Sequence, residues 1–362
     1  LKALNWYYGD SYNKNLFVIT GVAGSGKSTV VKYIIETLGI LNTNTLFCAL
    51  TGKAALVLRM KGHIANTIHK SFYNSRSYKN QVFFTKKPRI PGYIKLIVID
   101  EMGMIGNSMV EDILSFGIPV IGLGDDKQIP PIFEKNDYIL EENADVFLDE
   151  VKRTDDTSGI LPIATLCRNK IIPTPGIYNR SMVTQSIDDI KDISTYSKVL
   201  CWTNKMKRNI NKMIREKYGY DSVYPLKGER IVFLANRYDK TMQYLGIEIA
   251  IANGLECVVL EDSYLENDQV IIKAKPMFID DDCDEYFEVP CNRYIFDSHV
   301  DEKIQSDIRE LMIEDREAEV NSFFCDFSYA STVNSAQGSE FGGTVLVIDQ
   351  MPRFRPDYYK WL

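Results

Sequence analysis

The chain has 362 residues, 45% of them hydrophobic and 25% charged, with a net charge of −7. This is ordinary for a globular protein of two or three domains, and no apolar run approaches the roughly 20 residues that would span a bilayer. Seven scattered cysteines form no Cys-x-x-Cys pair and only three histidines are present, which argues against a structural zinc site and for reduced thiols. The N-terminus carries no initiator Met and no signal-peptide pattern, so the chain reads as part of a longer protein.

In chain order, Phe17-Val18-Ile19-Thr20 is strand-like, residues 21–29 read Gly-Val-Ala-Gly-Ser-Gly-Lys-Ser-Thr, and residues 30–36 continue as a helix. This is a phosphate-binding loop in its strand–loop–helix setting. The glycines let backbone N–H groups turn toward a polyphosphate, and the helix presents its positive dipole end. Gly21, Ala23, Gly24, Ser25, Gly26, Lys27, Ser28 and Thr29 are therefore candidate ligands of a nucleoside triphosphate. Lys27 would reach the β- and γ-phosphates, and the Ser28 hydroxyl would ligate Mg²⁺.

Apolar runs at 16–20, 45–50, 95–99 and 118–123, separated in part by helical stretches at 27–38 and 53–60, predict a buried parallel α/β sheet. Between them, residues 70–95 carry seven basic side chains, no acidic one, and six interleaved aromatics. Cations for phosphates and rings for bases are the ingredients of a single-strand binding surface, although such a stretch also fits a solvated face. We expect an inserted hairpin over 70–94, with Lys86-Lys87-Pro88-Arg89 near its exposed turn and Phe83 or Phe84 stacking on nucleic acid.

Leu96-Ile97-Val98-Ile99 runs into Asp100-Glu101, and Val120-Ile121-Gly122-Leu123 runs into Gly124-Asp125-Asp126-Lys127-Gln128-Ile129-Pro130-Pro131. Polar groups at the carboxyl ends of parallel strands line the ligand crevice. Asp100 is placed to hold Mg²⁺, Glu101 to orient and deprotonate an attacking water, and Gln128 to sense the γ-phosphate.

Further along, residues 199–203 predict a strand opening a second α/β unit, and 205–217 a basic helix; the stretch 198–217 holds seven basic residues against Glu216. Residues 228–298 read as short strands at 229–234, 246–252, 256–260 and 270–274 with a turn at Asn253-Gly254, suggesting a small barrel. Residues 301–320 predict a charged helix, and 327–333 and 344–349 returning strands. Residues 280–320 hold fifteen Asp and Glu against four Lys and Arg, so the remainder of the chain is net positive.

The ordered set of segments resembles superfamily 1 DNA helicases of the RecD/Dda-like branch, whose members move 5′ to 3′ on single-stranded DNA. Beyond the phosphate loop, Asp100-Glu101 and Gly124-Asp125-x-x-Gln128-x-Pro130-Pro131, the resemblance rests on five segments. Thr51-Gly52-Lys53-Ala54-Ala55, with Ala65-Asn66-Thr67-Ile68-His69, looks like the first DNA-contact motif. Val151-Lys152-Arg153 looks like the segment whose arginine reaches the γ-phosphate. Trp202-Thr203-Asn204, followed by Asn211, looks like the start of the second motor domain. Asn253-Gly254 recurs in the β insert, and residues 331–341, with Gln337, Gly338 and Glu340, look like the late motif coupling DNA to ATP.

By this resemblance the fold class is α/β, with two RecA-like parallel-sheet motor domains in tandem. The expected boundaries are 1–152 for the first, with a pin-like hairpin insert at 70–94. The second comprises 153–235 and 322–362, interrupted at 236–321 by an SH3-like β insert with the acidic helix. The resemblance implies ATP and Mg²⁺ as cofactors. Lys27, Asp100, Glu101, Gln128 and Arg153 would be catalytic, with Gln337, Gly338 and Glu340 at the nucleotide. Thr51, Lys53, Thr67, His69, Asn204, Thr332 and Asn334 would hold DNA beside Phe83 and Phe84. It implies a monomeric, cytoplasmic helicase (in the host cytoplasm if phage-encoded) acting on single-stranded DNA and single/double-strand junctions. The acidic stretch 280–320 is either a solvated face or a dock for a basic replisome or single-strand-binding protein. The alternative function is an ATP-dependent DNA-binding subunit of a nuclease or repair complex, without processive unwinding; a small-molecule phosphotransferase fits the late motifs poorly. Asn334 and Ser335 stand where the family usually has His-Lys. No counterpart of the family's adenine-reading glutamine is evident in residues 1–15, and its final arginine motif would fall after residue 362.

Overall fold

The computed structural model describes residues 1–9, 15–22, 24–78, 81–131, 134–150, 159–280, 282–299, 308–317, 321–339 and 341–349. Its first half contains β1 (Leu16–Gly21), β2 (Thr45–Ala49), β3 (Ala65–Thr67), β4 (Tyr73–Tyr78), β5 (Gln81–Lys86), β6 (Leu96–Ile99), β7 (Val120–Gly124) and β8 (Val146–Leu148). Six of these form one parallel sheet in the order β3-β2-β6-β7-β1-β8. The four central strands are buried along their whole length, which is why they read as unbroken apolar runs.

Alternate residues serve opposite faces. Leu16, Val18, Leu46, Cys48, Ile97 and Ile99 pack with Ile68, Phe72, Val110 and Ile113. Phe17, Ile19, Phe47, Ala49, Leu96 and Val98 pack with Ala3, Val31, Ile35, Ala55 and Leu58 on the other side. The helices supplying these partners are α1 (Lys2–Tyr8), α2 (Lys27–Leu38), α3 (Gly52–Met60), α4 (Ile68–Phe72) and α5 (Asn107–Leu114).

Strands β4 and β5 form the expected hairpin, in register from Tyr73↔Lys86 to Tyr78↔Gln81. The basic run is not near its turn, however. Lys86 pairs with Tyr73 at the base, and the Lys87 N–H donates to the Phe72 carbonyl, so these cations mark where the hairpin joins the sheet domain. Tyr73 donates to Asp112 at 2.8 Å, and Lys86 reaches Ser115 at 2.9 Å and Asp112 at 3.4 Å, tying both strands to α5.

The second half begins with α6 (Ile160–Arg168) and the hairpin of β9 (Gly176–Tyr178) and β10 (Ser181–Val183). A small parallel sheet follows, in which β11 (Lys198–Cys201) is the centre. Its neighbours, β20 (Ala330–Thr332) and β21 (Val345–Val347), arrive from far along the chain. Helix α7 (Asn204–Tyr218) packs on this sheet through Ile210 and Ile214.

Between β11 and β20 lie β12 (Arg230–Phe233), β13 (Arg237–Tyr244), β14 (Ile247–Ile251), β15 (Glu256–Val259), β16 (Tyr264–Glu266), β17 (Gln269–Pro276), β18 (Phe287–Asn292) and β19 (Cys325–Phe327), with α8 (Tyr294–Asp297) and α9 (Ile308–Glu317). Antiparallel pairing runs from β19 through β12, β15 and β17 to β18. A bridge from Cys291 to Phe323 brings it full circle. The ring takes in 230–233 and 325–327, which flank the expected insert.

Asn253-Gly254 is a turn, as expected; because β14 pairs with β13 while β15 pairs with β12 and β17, it carries the chain from one sheet to another. One expectation needs correction here. The stretch 327–333 is not one strand, because β19 belongs to the antiparallel ring and β20 to the parallel sheet. In the basic stretch 198–217, Lys198 and Arg215 are buried and Lys207 is half-buried, while Lys205, Lys212 and Lys217 are exposed. Lys198 pairs with Glu256 at 2.8 Å, Lys207 with Asp326 at 2.7 Å, and Arg215 clasps buried Glu229 at 2.7 and 2.9 Å.

The two halves touch. Leu56 of α3 lies in the core of the second half with Ile251 and Ala252, and Arg59 donates to the Glu248 carbonyl at 3.4 Å. A side chain at Gly52 would meet Ala252 and Asn236 at 2.7 Å, so only glycine lets α3 dock this closely.

Candidate nucleotide site and nucleic-acid interface

The loop after β1 turns where a side chain at Gly21 would strike the Leu148 carbonyl oxygen at 2.4 Å. It enters α2 through Gly26, whose φ of +85° is the left-handed conformation that glycine adopts without penalty. The Lys27 ammonium reaches across the loop to the Gly21 and Val22 carbonyls at 2.8 and 3.1 Å. Burial lowers its pKa, opposed by the carboxylates of Asp125, Glu101 and Asp100. Ser25 is buried and its hydroxyl has no hydrogen-bond partner among the described residues, while Ser28 and Thr29 are exposed at the start of α2. Ala23 lies outside the described residues.

Asp100 and Glu101 follow β6 at the same edge of the sheet. Burial raises both carboxyls above the usual range. The Glu101 N–H, donating to Asp100 Oδ1 at 3.1 Å, and the cations Lys61 and Lys27 oppose the rise at Asp100; the Asp100 charge adds to it at Glu101. Glu101 has left-handed backbone angles, φ +51° and ψ +46°, which cost a non-glycine residue about 1–2 kcal/mol. Strain of this kind collects where a side chain must be aimed.

Asp125 ends the neighbouring strand and is 3% exposed. It accepts the Lys127 N–H at 3.0 Å, and its own carbonyl accepts the Gln128 N–H at 3.3 Å, folding the segment into a tight turn that displays Gln128. Across from this turn, Gln337 Nε2 donates to the Ile129 carbonyl at 3.3 Å. The late segment of the second half thus touches the Gln128 loop of the first. Lys53 lies over the Phe341 ring, 5.6 Å from its centroid, and a side chain on Gly338 would be 3.9 Å from Ala54.

The sequence missed Arg168. It closes α6, and its guanidinium Nη1 donates to both Asp125 oxygens at 2.8 and 2.7 Å. Its charge also lowers the Lys27 pKa, so it lies within reach of the loop. Nothing at the motif level marks it; the only signal was a buried acid, Asp125, in want of a cation. The expected cation, Arg153, lies outside the described residues, as does Glu340.

Three of the expected DNA contacts, Thr51, Thr67 and Thr332, share one structural device, and Thr203 repeats it beside Asn204. Thr51, Thr67, Thr203 and Thr332 each follow or end a parallel strand and cap the next helix, α3, α4, α7 and α10 (Val333–Ala336). Each hydroxyl oxygen accepts a backbone N–H two positions into the helix or further, as cap residues do. The Thr332 hydroxyl also donates to Ser335, one of the two departures from the family pattern. Asn204 and Asn334 are exposed beside their caps. The His69 and Phe84 rings lie with their centroids 4.7 Å apart and their planes tilted by 53°, and burial lowers the His69 pKa. Phe84 is 50% exposed; nothing is described of the Phe83 side chain.

A glycine loop, two strand-end carboxylates and a glutamine turn, all on one edge of a parallel sheet, define a phosphate-loop protein of the ATPase type. A family model described as an AAA domain matches residues 11–170. The chain is 30% identical over 288 residues to the ATP-dependent DNA helicase Dda of Enterobacteria phage T4, covering 69% of this chain and 64% of that protein. It is 31% identical over 122 residues to the ATP-dependent RecD2 DNA helicase of Deinococcus radiodurans, covering 32% of this chain and 16% of that one. The chain thus spans less than two thirds of either relative. A solved structure of Pif1 helicases unwinding forked double-stranded DNA shares the fold, with a TM-score of 0.55 and 18% identity over 99% of this chain and 88% of that chain. Over these stretches the chain is similar in sequence to the superfamily 1 helicases Dda and RecD2, and it shares its fold with Pif1. No described helix is long and apolar enough to cross a membrane.

Proposed function

We propose that this chain is the motor of an ATP-dependent helicase that moves on single-stranded DNA, 5′ to 3′, and opens single/double-strand junctions. The observation that carries this reading is the contact between Gln337 and the Gln128 loop. It links the edge where ATP would be hydrolysed to the segment that begins at Thr332, on the edge expected to hold DNA.

Triphosphate binding would draw Lys27 from the Gly21 and Val22 carbonyls onto the β- and γ-phosphates. Ser28 and Asp100 would hold Mg²⁺; one hydroxyl and one carboxylate suit a hard cation that keeps several of its waters, and among the described residues no group of three or more His, Cys, Asp or Glu competes for a metal. When bound, the ion neutralises charge between the terminal phosphates. Glu101, with its raised pKa and fixed backbone, accepts the proton of the attacking water, and Gln128 orients that water. Arg153 would supply the second cation at the γ-phosphate.

On the DNA side, the hydroxyl protons of Thr51, Thr67 and Thr203 remain free to donate to phosphates while their oxygens cap helices. Lys53 adds charge, Asn204, Thr332 and Asn334 continue the track, and His69 with Phe84 forms a stacking platform at the hairpin base. A monomer suffices for this cycle. Within 280–320, Asp280, Asp297 and Asp315 are spent on Tyr244, Arg293 and the Ser322 N–H, so a basic partner protein would have to use the remaining acids.

The test is steady-state ATP hydrolysis with and without single-stranded DNA, beside Lys27→Ala. Strong stimulation that vanishes in the variant is the expected result. Nucleotide binding with DNA-indifferent turnover would overturn the motor reading.

A further inference from the structure

Arg168 is not part of the phosphate loop, the carboxylate pair or the glutamine turn, yet it is built into their arrangement. A single nitrogen, Nη1, meets both oxygens of Asp125 at 2.8 and 2.7 Å. Asp125 is almost fully buried, whereas the Arg168 side chain keeps about a quarter of its surface. The same carboxylate accepts the Lys127 N–H, and the same residue's carbonyl accepts the Gln128 N–H. Asp125 also acts electrostatically on both Lys27 and Glu101.

A buried carboxylate pointed at a site meant for a triphosphate is a liability. Unpaired, it would repel the incoming anion and compete with it for Lys27. It would also lose the order of its turn, since burying a lone charge costs far more than burying a pair. The cation that prevents both effects comes from α6, about forty residues downstream of the turn.

We infer that Arg168 is a positioning residue of the nucleotide site: by pairing with Asp125 it cancels that charge and holds the Gln128 turn in register for the γ-phosphate. The inference rests on the proposed nucleotide reading, but it concerns nucleotide discrimination and not motion on DNA. Arg168 touches no reacting atom. Its effect passes through Asp125, and should fall on ligands that carry a γ-phosphate.

The experiment measures binding of fluorescent ADP and of a slowly hydrolysed ATP analogue to the parent chain, Arg168→Gln, Asp125→Asn and the double variant, with thermal unfolding recorded for each. Losing a charged partner should weaken the ATP analogue about tenfold in Arg168→Gln. ADP affinity should fall by no more than about threefold, because ADP shares the β-phosphate that Lys27 holds but has no γ-phosphate at the Gln128 turn. Removing the stranded charge in the double variant should recover most of the lost affinity; a merely structural role would show no such rescue. Hydrolysis in the double variant should stay slow at saturating ATP, because the turn is still unclamped, giving a kcat defect without a KM defect. Equal weakening of ADP and ATP analogue, or no recovery in the double variant, overturns the inference. Because these readouts need no DNA, a failure of DNA stimulation in the parent strikes the motor reading and leaves this one to stand or fall by itself.

Discussion

The stretches 70–95 and 198–217 each carry seven basic residues, yet the fold partners them differently. In the second, Lys198 of β11 and Lys207 and Arg215 of α7 turn inward to Glu256, Asp326 and Glu229, while Lys205 and Lys212 stay exposed. Their partners come from 14 to 119 positions away, so no local window shows them. In the hairpin stretch no acid is present to absorb the charge locally, and Lys86 is exposed even where it reaches Asp112. Equal charge counts therefore say little about a nucleic-acid surface. What separates the inward cations from the outward ones is whether the fold delivers a buried carboxylate to them.

Removing one buried partner should break the comparison most visibly. Arg215→Ala would leave Glu229, which is 0% exposed, as an uncompensated charge, and should destabilise the chain by about 3–5 kcal/mol in denaturant unfolding. Lys86→Ala, at the hairpin base, should cost no more than about 1 kcal/mol in the same assay. Comparable losses from the two would mean that the inward and outward cations are energetically alike.

Next in size is Phe84→Ala. Losing one stacking platform should cost about 1–3 kcal/mol of base contact. Unwinding of a forked duplex should fall by more than single-strand-stimulated ATP hydrolysis, measured on the same preparation. Equal loss of both would remove Phe84 from the junction.

An acid titration sharpens the inward case. Burial pushes the Asp326 carboxyl up, but the Lys207 ammonium and His299 more than offset this and hold it well below the usual carboxylate range. A depressed native pKa stabilises above the unfolded value, about 3.9, and that stability is lost as pH falls through it toward the native one. Unfolding midpoints of the parent chain should therefore drop as pH falls below about 4. Asp326→Asn, less stable at neutral pH, should lose the part of this slope that Asp326 contributes. The smallest expected change is in the salt dependence of single-strand binding. Lys87→Ala should reduce the log–log slope by about 0.7, whereas Lys207→Ala should leave it unchanged.

The same contrast explains what the sequence made legible. Strands β1, β6 and β7 and the phosphate-loop helix were evident because their signals are contiguous: a buried run, a glycine loop, carboxylates at strand ends. Of the antiparallel ring, β12, β15 and β17 were visible as strands, but β18 was not, and neither was the pairing, since β12 finds β19 more than ninety residues later. Asn253-Gly254 was legible as a turn, but the dipeptide reports local backbone shape and not which strands pair. Arg168 was invisible for the reason that hid the inward lysines: its meaning lies entirely in Asp125, on another element.

Helix α3 carries Thr51 and Lys53 at one end and seats Leu56 in the hydrophobic core of the other half. A peg seated in a socket leaves no slack: Leu56 is 1% exposed, so a bulkier side chain there would force the two halves apart without touching the phosphate loop or the hairpin.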